Sequence, residues 1–571
     1  MSRTKRQPEN IFPPTKDIKM TELHQKAQNW LAQDPDPETK AELQTLLDQA
    51  QSGNESAEKE LANRFADRLQ FGTAGLRGRL QAGSMGMNRV LVAQAAKGLA
   101  DYLIRNDKEP SVVIGYDGRK NSQIFAEDTA QIMAGAGVKT YLLPRCLPTP
   151  VLAFALRRLD LTAGVMVTAS HNPPADNGYK VYLGKQHGGG QIVSPADKDI
   201  AQQIDLATQI QINEYARSDD YTVLGEDLIT QYIDTTAKIA VAPKFELNYV
   251  YTALHGVGKE VLLKTFQAAG LPLPHIVAEQ AEPDAAFPTV AFPNPEEKGA
   301  LDLAIALAKQ EHAELIIAND PDADRFAIAL PDSDGNWKSV HGNMVGCYLA
   351  WHIAQQAEKQ GKKGAMACSL VSSPALLEIA KRYGLQGEET LTGFKYIAKV
   401  PDLIYGFEES LGYLVNPETV SDKDGISAAI AFVDLMGSLK AQGKSLQSYM
   451  AEFAAEFGAY ASAQVSLRMR ELADIPALMA ALRAHPITQI GAAKVVQTKD
   501  YANHAEPAEI LVYYLDNGNR VIVRPSGTEP KVKVYLDVKG TDNADAARVL
   551  AELDDDVRSL LRQDMYGKQD C

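Results

Sequence analysis

The chain has 571 residues, 45% of them hydrophobic and 23% charged, an ordinary globular balance, and at ~100–200 residues per domain it should hold about three to five cores. Its 58 basic and 73 acidic residues leave a formal charge of −15, which argues against a general role in binding nucleic acid or anionic membrane, since both need a basic face. No segment approaches the ~20 apolar residues that span a bilayer, and the polar start MSRTKRQPEN is not followed by a signal-peptide core. The four scattered cysteines (Cys146, Cys347, Cys368, Cys571) contain no CxxC pair, which disfavours a disulfide framework or zinc site and points to a reducing cytoplasm.

Residues 1–20 read as a frayed terminus. From about Thr21 to Leu69 the pattern is helical and acidic (TELHQKAQNWLAQ, PETKAELQTLLDQA), with no strand-like run. Beyond it, short β-branched runs alternate with amphipathic stretches, which argues for α/β domains. VVIGYDG at 112–118, AGVMVTA at 163–169, ELIIAND at 314–320 and VIVRPSG at 521–527 are the clearest strands, and GALDLAIALAKQEHAEL at 299–315 has helical spacing. Seams are expected at 240–246, 332–342 and 458–463. The expected division is an extension (1–68), α/β domains at 69–242, 243–340 and 341–460, and a last domain at 461–571. No internal repeat is obvious.

Four loops carry chemistry. Thr168-Ala-Ser-His-Asn-Pro-Pro174 follows an apolar strand, and its two prolines fix φ and stiffen it. That is a good place to display the hydroxyl of Ser170, although alone the segment is equally a turn in which Asn172 bonds its own backbone. Asp320-Pro-Asp-Ala-Asp-Arg325 sets three carboxylates at alternate positions, the hard oxygen cluster that Mg²⁺ takes. It lacks the EF-hand's length and terminal Glu, and a solvated acidic turn is the plainer alternative. Gly406-Phe-Glu-Glu-Ser-Leu-Gly412 holds two acids and a hydroxyl, directional partners for sugar hydroxyls, or a surface turn. Arg524-Pro-Ser-Gly-Thr-Glu-Pro-Lys-Val-Lys533 offers a guanidinium fork and neutral donors for phosphate. It does not match the Walker pattern, so nucleoside triphosphate binding is disfavoured.

These loops, in this order, resemble the α-D-phosphohexomutase superfamily of phosphoglucomutases and phosphomannomutases. FGTAGLRG at 71–78, GYDGRKNS at 115–122, TGFKYIAK at 392–399 and KDGISAA at 423–429 fit it too, so the likeness runs from about Leu69 to the C-terminus. The N-terminal extension and the form GFEESLGY resemble its phosphoglucomutase-2-like branch. The resemblance implies four domains around a central cleft, three of them similar α/β units and the last a smaller α+β domain. It implies that Ser170 is the phosphorylated serine, and that Asp320, Asp322 and Asp324 hold Mg²⁺ with an oxygen of phosphorylated Ser170 completing the shell. Glu408 and Ser410 would grip sugar hydroxyls, and Arg524, Ser526, Gly527 and Thr528 the phosphate that is not reacting. Arg77, His171, Lys180 and Arg325 match positions lining the cleft, and Lys395 one near the sugar. Where the shorter bacterial branch has a histidine after its sugar loop, this chain has Gly412 and Tyr413. Lys180, Lys395 and His171 are therefore the candidates for general acid and base.

The implied activity is interconversion of hexose 1-phosphate and hexose 6-phosphate, glucose first and mannose second, through a hexose 1,6-bisphosphate. Mg²⁺ and glucose 1,6-bisphosphate are the implied cofactor and activator, and small sugar phosphates the partners, with no nucleic acid and no membrane, in a cytoplasmic monomer or small homo-oligomer. The rivals are a glucose 1,6-bisphosphate synthase, a phosphopentomutase, a metal-dependent phosphatase and a non-catalytic sugar-phosphate-binding regulator.

Overall fold

The computed structural model describes residues 16–72, 75–469, 474–504, 507–525 and 531–565. Most of the terminus read as frayed lies outside that range. The extension is three helices, Lys16–Gln33, Pro37–Gln51 and Glu55–Arg64. Asp36 and Asn54 start the second and third by accepting hydrogen bonds from the first free backbone N–H groups, and Pro37 opens the second where no N–H is needed. Trp30, Leu43, Leu47 and Leu61 share a core with Val90 and Ala93 of helix Arg89–Asn106. The extension is thus built into the first α/β domain.

Among the described residues four sheets follow, three of them with one topology. In the first, Ser111–Tyr116 is central, with Lys139–Leu142 parallel on one side and Ala163–Val167 parallel on the other; Asp176–Leu183 then runs back antiparallel beside Ala163–Val167. In the second the same places are taken by Tyr249–Thr252, His275–Ile276, Leu315–Asn319 and Phe326–Pro331. In the third they are taken by Ala365–Ser369, Gln386–Thr390, Leu403–Glu408 and Gly412–Leu414. The central strands are fully buried, as expected of parallel strands with helices on both faces. The repetition that no sequence period discloses is therefore plain in the strand order. The last sheet is antiparallel throughout, in the order Ala459–Arg468, Lys531–Gly540, Arg520–Pro525, Leu511–Leu515, Ala493–Asp500, Gln489–Ile490, with helices Asp474–Ala484 and Asn543–Met565. The chain is thus three α/β domains and a C-terminal α+β domain.

The expected seams at 332–342 and 458–463 contain strands, and one expected helix is shorter. The segment 332–342, read as a seam, carries strand Trp337–Ser339, which pairs antiparallel with Phe326–Pro331 and extends the second sheet. The segment 458–463 opens strand Ala459–Arg468. The helix expected over 299–315 is shorter, Asp302–Gln310, because Leu315 already begins a strand. Among the described residues no helix is long and apolar enough to cross a membrane, and Cys146, Cys347 and Cys368 are free thiols.

Candidate active site

Ser170 sits in the turn between Ala163–Val167 and Asp176–Leu183. It is buried, at 2% exposure, and its φ of 52° is left-handed, a conformation that costs a non-glycine residue roughly 1–2 kcal/mol. Its backbone N–H donates to Thr168 Oγ1 at 2.8 Å, and that hydroxyl donates to Asp117 Oδ2 at 2.7 Å. Arg119 clamps the loop from below. Its Nη2 donates to the carbonyls of Ser170 and Asn172, both at 2.6 Å, and its Nη1 to those of Pro173 and Asp176 at 2.9 and 3.2 Å. The face of Phe287 lies 4.9 Å from the same guanidinium, a favourable cation–π distance. So held, Ser170 Oγ is 3.2 Å from His171 Nδ1. Arg77, on the edge strand Leu76–Arg79, reaches Asn172 Oδ1 at 3.3 Å, and Lys180 is buried on the adjoining strand.

Asp320, Asp322 and Asp324 occupy the equivalent turn of the second sheet, between Leu315–Asn319 and Phe326–Pro331. All three are buried, and one oxygen from each lies within 4.8 Å of the others. Thr149 Oγ1 donates to Asp322 Oδ2 at 2.6 Å, and the Arg325 N–H to Asp320 Oδ1 at 3.0 Å. Lys423 Nζ is 3.2 Å from Asp324 Oδ2, and Arg325 Nε is 3.9 Å from Asp320. Three buried carboxylates repel one another strongly unless cations compensate. The clustered carboxylates form a hard, oxygen-only donor set that fits a divalent ion such as Mg²⁺.

The loop expected to meet sugar hydroxyls occupies the third such turn, between Leu403–Glu408 and Gly412–Leu414. It comes against the acidic turn, because Gly412 bridges Arg325 on one side and pairs with Glu408 on the other. A Cβ on Gly412 would stand 2.9 Å from both Glu408 Cγ and Lys423 Cδ, so glycine is what lets these two side chains converge. Burial pushes the Glu408 carboxyl up to about 7, against the pull of Lys423 and Arg325. On Lys423, burial acts downward, but Asp324, Asp422 and Glu408 override it and the net shift is upward. Ser410 Oγ donates to Glu409 Oε1 at 3.2 Å, while Ser369 and Ser372 donate to Oε2 of the same carboxylate at 3.2 and 3.4 Å. Glu409 thus orients Ser410. Arg524 is the penultimate residue of strand Arg520–Pro525, opposite Lys533, whereas Ser526, Gly527 and Thr528 lie outside the described residues. Lys395 is half-buried on the short helix Phe394–Ile397, over the ring of Tyr396.

Four family models match in succession: phosphoglucomutase/phosphomannomutase α/β/α domain I at residues 68–211, domain II at 230–335, domain III at 341–457 and the C-terminal domain at 465–556. A protein of Haemophilus influenzae named "Probable phosphomannomutase" is 65% identical over 85% of this chain and 100% of its own length. The chain belongs to the phosphoglucomutase/phosphomannomutase family of intramolecular phosphotransferases. A phosphopentomutase of Mus musculus is 33% identical over 94% of both chains. The solved structure of a phosphoglucomutase/phosphomannomutase family protein from Burkholderia thailandensis shares the fold, with TM-score 0.68 and 19% identity over 88% of this chain and 99% of that one.

Three residues of this family member escaped the reading of the sequence. Lys423 lay inside the quoted run KDGISAA. Its neighbour Asp424 caps helix Gly425–Ala441 and takes the Tyr232 hydroxyl, which fixes the lysine's approach to Asp324. Gly425 is required there, since a Cβ would fall 2.1 Å from the Arg325 carbonyl. Lys533 closed the quoted phosphate loop. Burial lowers its ammonium against the pull of Glu409, with Arg524, Lys531 and Arg325 lowering it further. Such a group of cations suits a phosphate. Arg119 was visible in GYDGRKNS, but its four carbonyl partners lie 51–57 residues away.

Proposed function

We propose that the protein interconverts hexose 1-phosphate and hexose 6-phosphate, with glucose or mannose as the sugar, through a phosphorylated Ser170 and a hexose 1,6-bisphosphate. The observation that carries this is the clamped, buried Ser170 with a ring nitrogen 3.2 Å from its hydroxyl oxygen. In the forward half-reaction the bond from phosphorus to Ser170 Oγ breaks as one forms to a sugar oxygen. The sugar hydroxyl must lose a proton and Ser170 Oγ must gain one. His171 Nδ1 is at hydrogen-bond distance for the second task, and Lys180 and Lys395 are the candidates for the first. Glu408 and Ser410 would orient the sugar hydroxyls. Arg524, with Ser526, Gly527 and Thr528, would grip the idle phosphate, and Arg77 and Arg325 complete the proposed substrate contacts. The bisphosphate must then turn over so that its other phosphate returns to Ser170. Asp320, Asp322 and Asp324 would hold Mg²⁺, which stabilises negative charge on the phosphoryl oxygens when bound. The free thiols and acidic charge support a cytoplasmic setting.

The name of the Haemophilus influenzae relative supports including mannose. A pentose preference is the second reading, on the full-length likeness to the mouse phosphopentomutase. Coupled assays with glucose 1-phosphate, mannose 1-phosphate and ribose 1-phosphate, each with and without glucose 1,6-bisphosphate, separate the two. The expected result is a higher kcat/KM on a hexose, stimulated by the bisphosphate and abolished by EDTA. A higher value for ribose 1-phosphate selects the pentose, and no turnover of any sugar with Mg²⁺ and bisphosphate rejects the mutase.

A further inference from the structure

A cavity of about 370 Å³ opens between the C-terminal end of helix Glu226–Ala237 with the segment after it, helix Gly342–Gln360, helix Gly425–Ala441 and the segment that follows strand Gly412–Leu414. That is within the ~300–1,000 Å³ typical of small-molecule sites, and none of its lining residues belongs to the proposed catalytic set. One wall is rigid. Asp434 accepts from the N–H groups of Val241 and Ala242 at 2.7 and 2.6 Å with Oδ1, and its Oδ2 is 3.2 Å from His352 Nε2. Both side chains are buried.

The lining also presents Asn416. Both polar atoms of its side-chain amide are buried, yet among the described residues neither makes a hydrogen bond. An amide left so costs roughly 1–3 kcal/mol, and few such groups remain in native proteins without a ligand or water to meet them. Thr235, Gln356 and Thr419 add further donors and acceptors around it. At the mouth Lys362 is 3.5 Å from Glu418, whereas Lys238 has no ion-pair partner among the described residues. Apart from the Lys362–Glu418 pair and the buried Asp434, whose oxygens are engaged by Val241, Ala242 and His352, the charged group offered to a ligand is Lys238, beside a set of neutral hydrogen-bonding groups.

We propose that this cavity is a second ligand site, separate from the sugar and phosphate loops, for a small hydroxylated anion: one acidic head for Lys238 and hydroxyls for Asn416 and its neighbours. A sugar monophosphate and a sugar acid share that chemistry. The count of glucose 6-phosphate sites takes the proposed active site as the first, whereas the gluconate arm and the variants do not rest on the mutase reading. Isothermal titration of the full chain with glucose 6-phosphate, and separately with gluconate, counts the sites. The expected result is a second glucose 6-phosphate site per chain, or one gluconate site, absent in Asn416→Leu and weakened ~10-fold in Lys238→Ala through loss of a charge-assisted contact. The two ligands tell a phosphate head from a carboxylate. Circular dichroism establishes that each variant is folded, and Lys238, being exposed, serves if Asn416→Leu does not fold. At most one glucose 6-phosphate site and no gluconate binding, or binding unchanged in the folded variants, overturns the proposal.

Discussion

One guanidinium holds four carbonyl oxygens of the serine loop, and Asp117 lies 3.5 Å from its Nε with both side chains buried. Arg119→Ala leaves that buried carboxylate without its cation, though with its Ser122 and Thr168 donors, and removes the donor from those carbonyls, which should cost about 3–5 kcal/mol. It should also lower kcat, because Ser170 is no longer held in its left-handed conformation. Arg119→Lys keeps the charge but not the fork, and should recover stability better than turnover. Chemical denaturation and steady-state kinetics on both variants check this. Glu408 gives a pH signature. Its carboxyl is raised from an ordinary 4.5 to about 7, so the folded state keeps a proton that the unfolded chain has released. The favourable contribution is whole below pH about 4.5 and is lost as pH rises through about 7. Glu408→Gln mimics the protonated acid at every pH. In the metal-free protein its stability relative to wild type should therefore climb between those limits, by an amount on the order of 1–3 kcal/mol. A difference independent of pH would contradict the shift.

At the scale of elements, one device recurs. In each α/β domain the loop of interest is the turn between the last parallel strand and its antiparallel neighbour: Ser170 in the first, Asp320 to Asp324 in the second, Glu408 to Ser410 in the third. In the third, Gly412→Ala should force Glu408 and Lys423 apart. Its stability cost should be about 1–3 kcal/mol, with kcat/KM falling ~10- to 100-fold through misplacement alone. An unchanged kcat/KM beside a lower melting temperature would show that the convergence does not matter for substrate. The parallel strands Ser111–Tyr116, Ala163–Val167 and Leu315–Asn319 were legible because VVIGY, AGVMV and LIIA are apolar runs, and the loops because acids, hydroxyls and prolines follow directly. The central strands Tyr249–Thr252 and Ala365–Ser369, by contrast, were not singled out. The antiparallel strands were harder. DNGYKVYL and WKS carry polar residues, so the second vanished into an expected seam. Lys423, Lys533 and Arg119 stayed silent for another reason: their importance lies in partners far along the chain, and spacing says nothing about such contacts.

For the whole molecule, the net charge of −15 leaves room for a local cluster of cations among the acids. Arg325, Lys423, Arg524 and Lys533 gather around the acidic turn, the sugar loop and the end of strand Arg520–Pro525. These cations support the anionic substrates proposed for this overall acidic protein. Everything proposed for the chemistry still passes through one oxygen atom. The most direct measurement is peptide mass spectrometry of the protein after incubation with Mg²⁺ and glucose 1,6-bisphosphate, repeated after adding excess glucose 6-phosphate. A single phosphoryl group should appear on Ser170, leave when the sugar monophosphate is added, and be absent from a folded Ser170→Ala variant that has lost mutase turnover. An unmodified Ser170 in an active preparation, or near-normal turnover by the alanine variant, would contradict the phosphoserine mechanism.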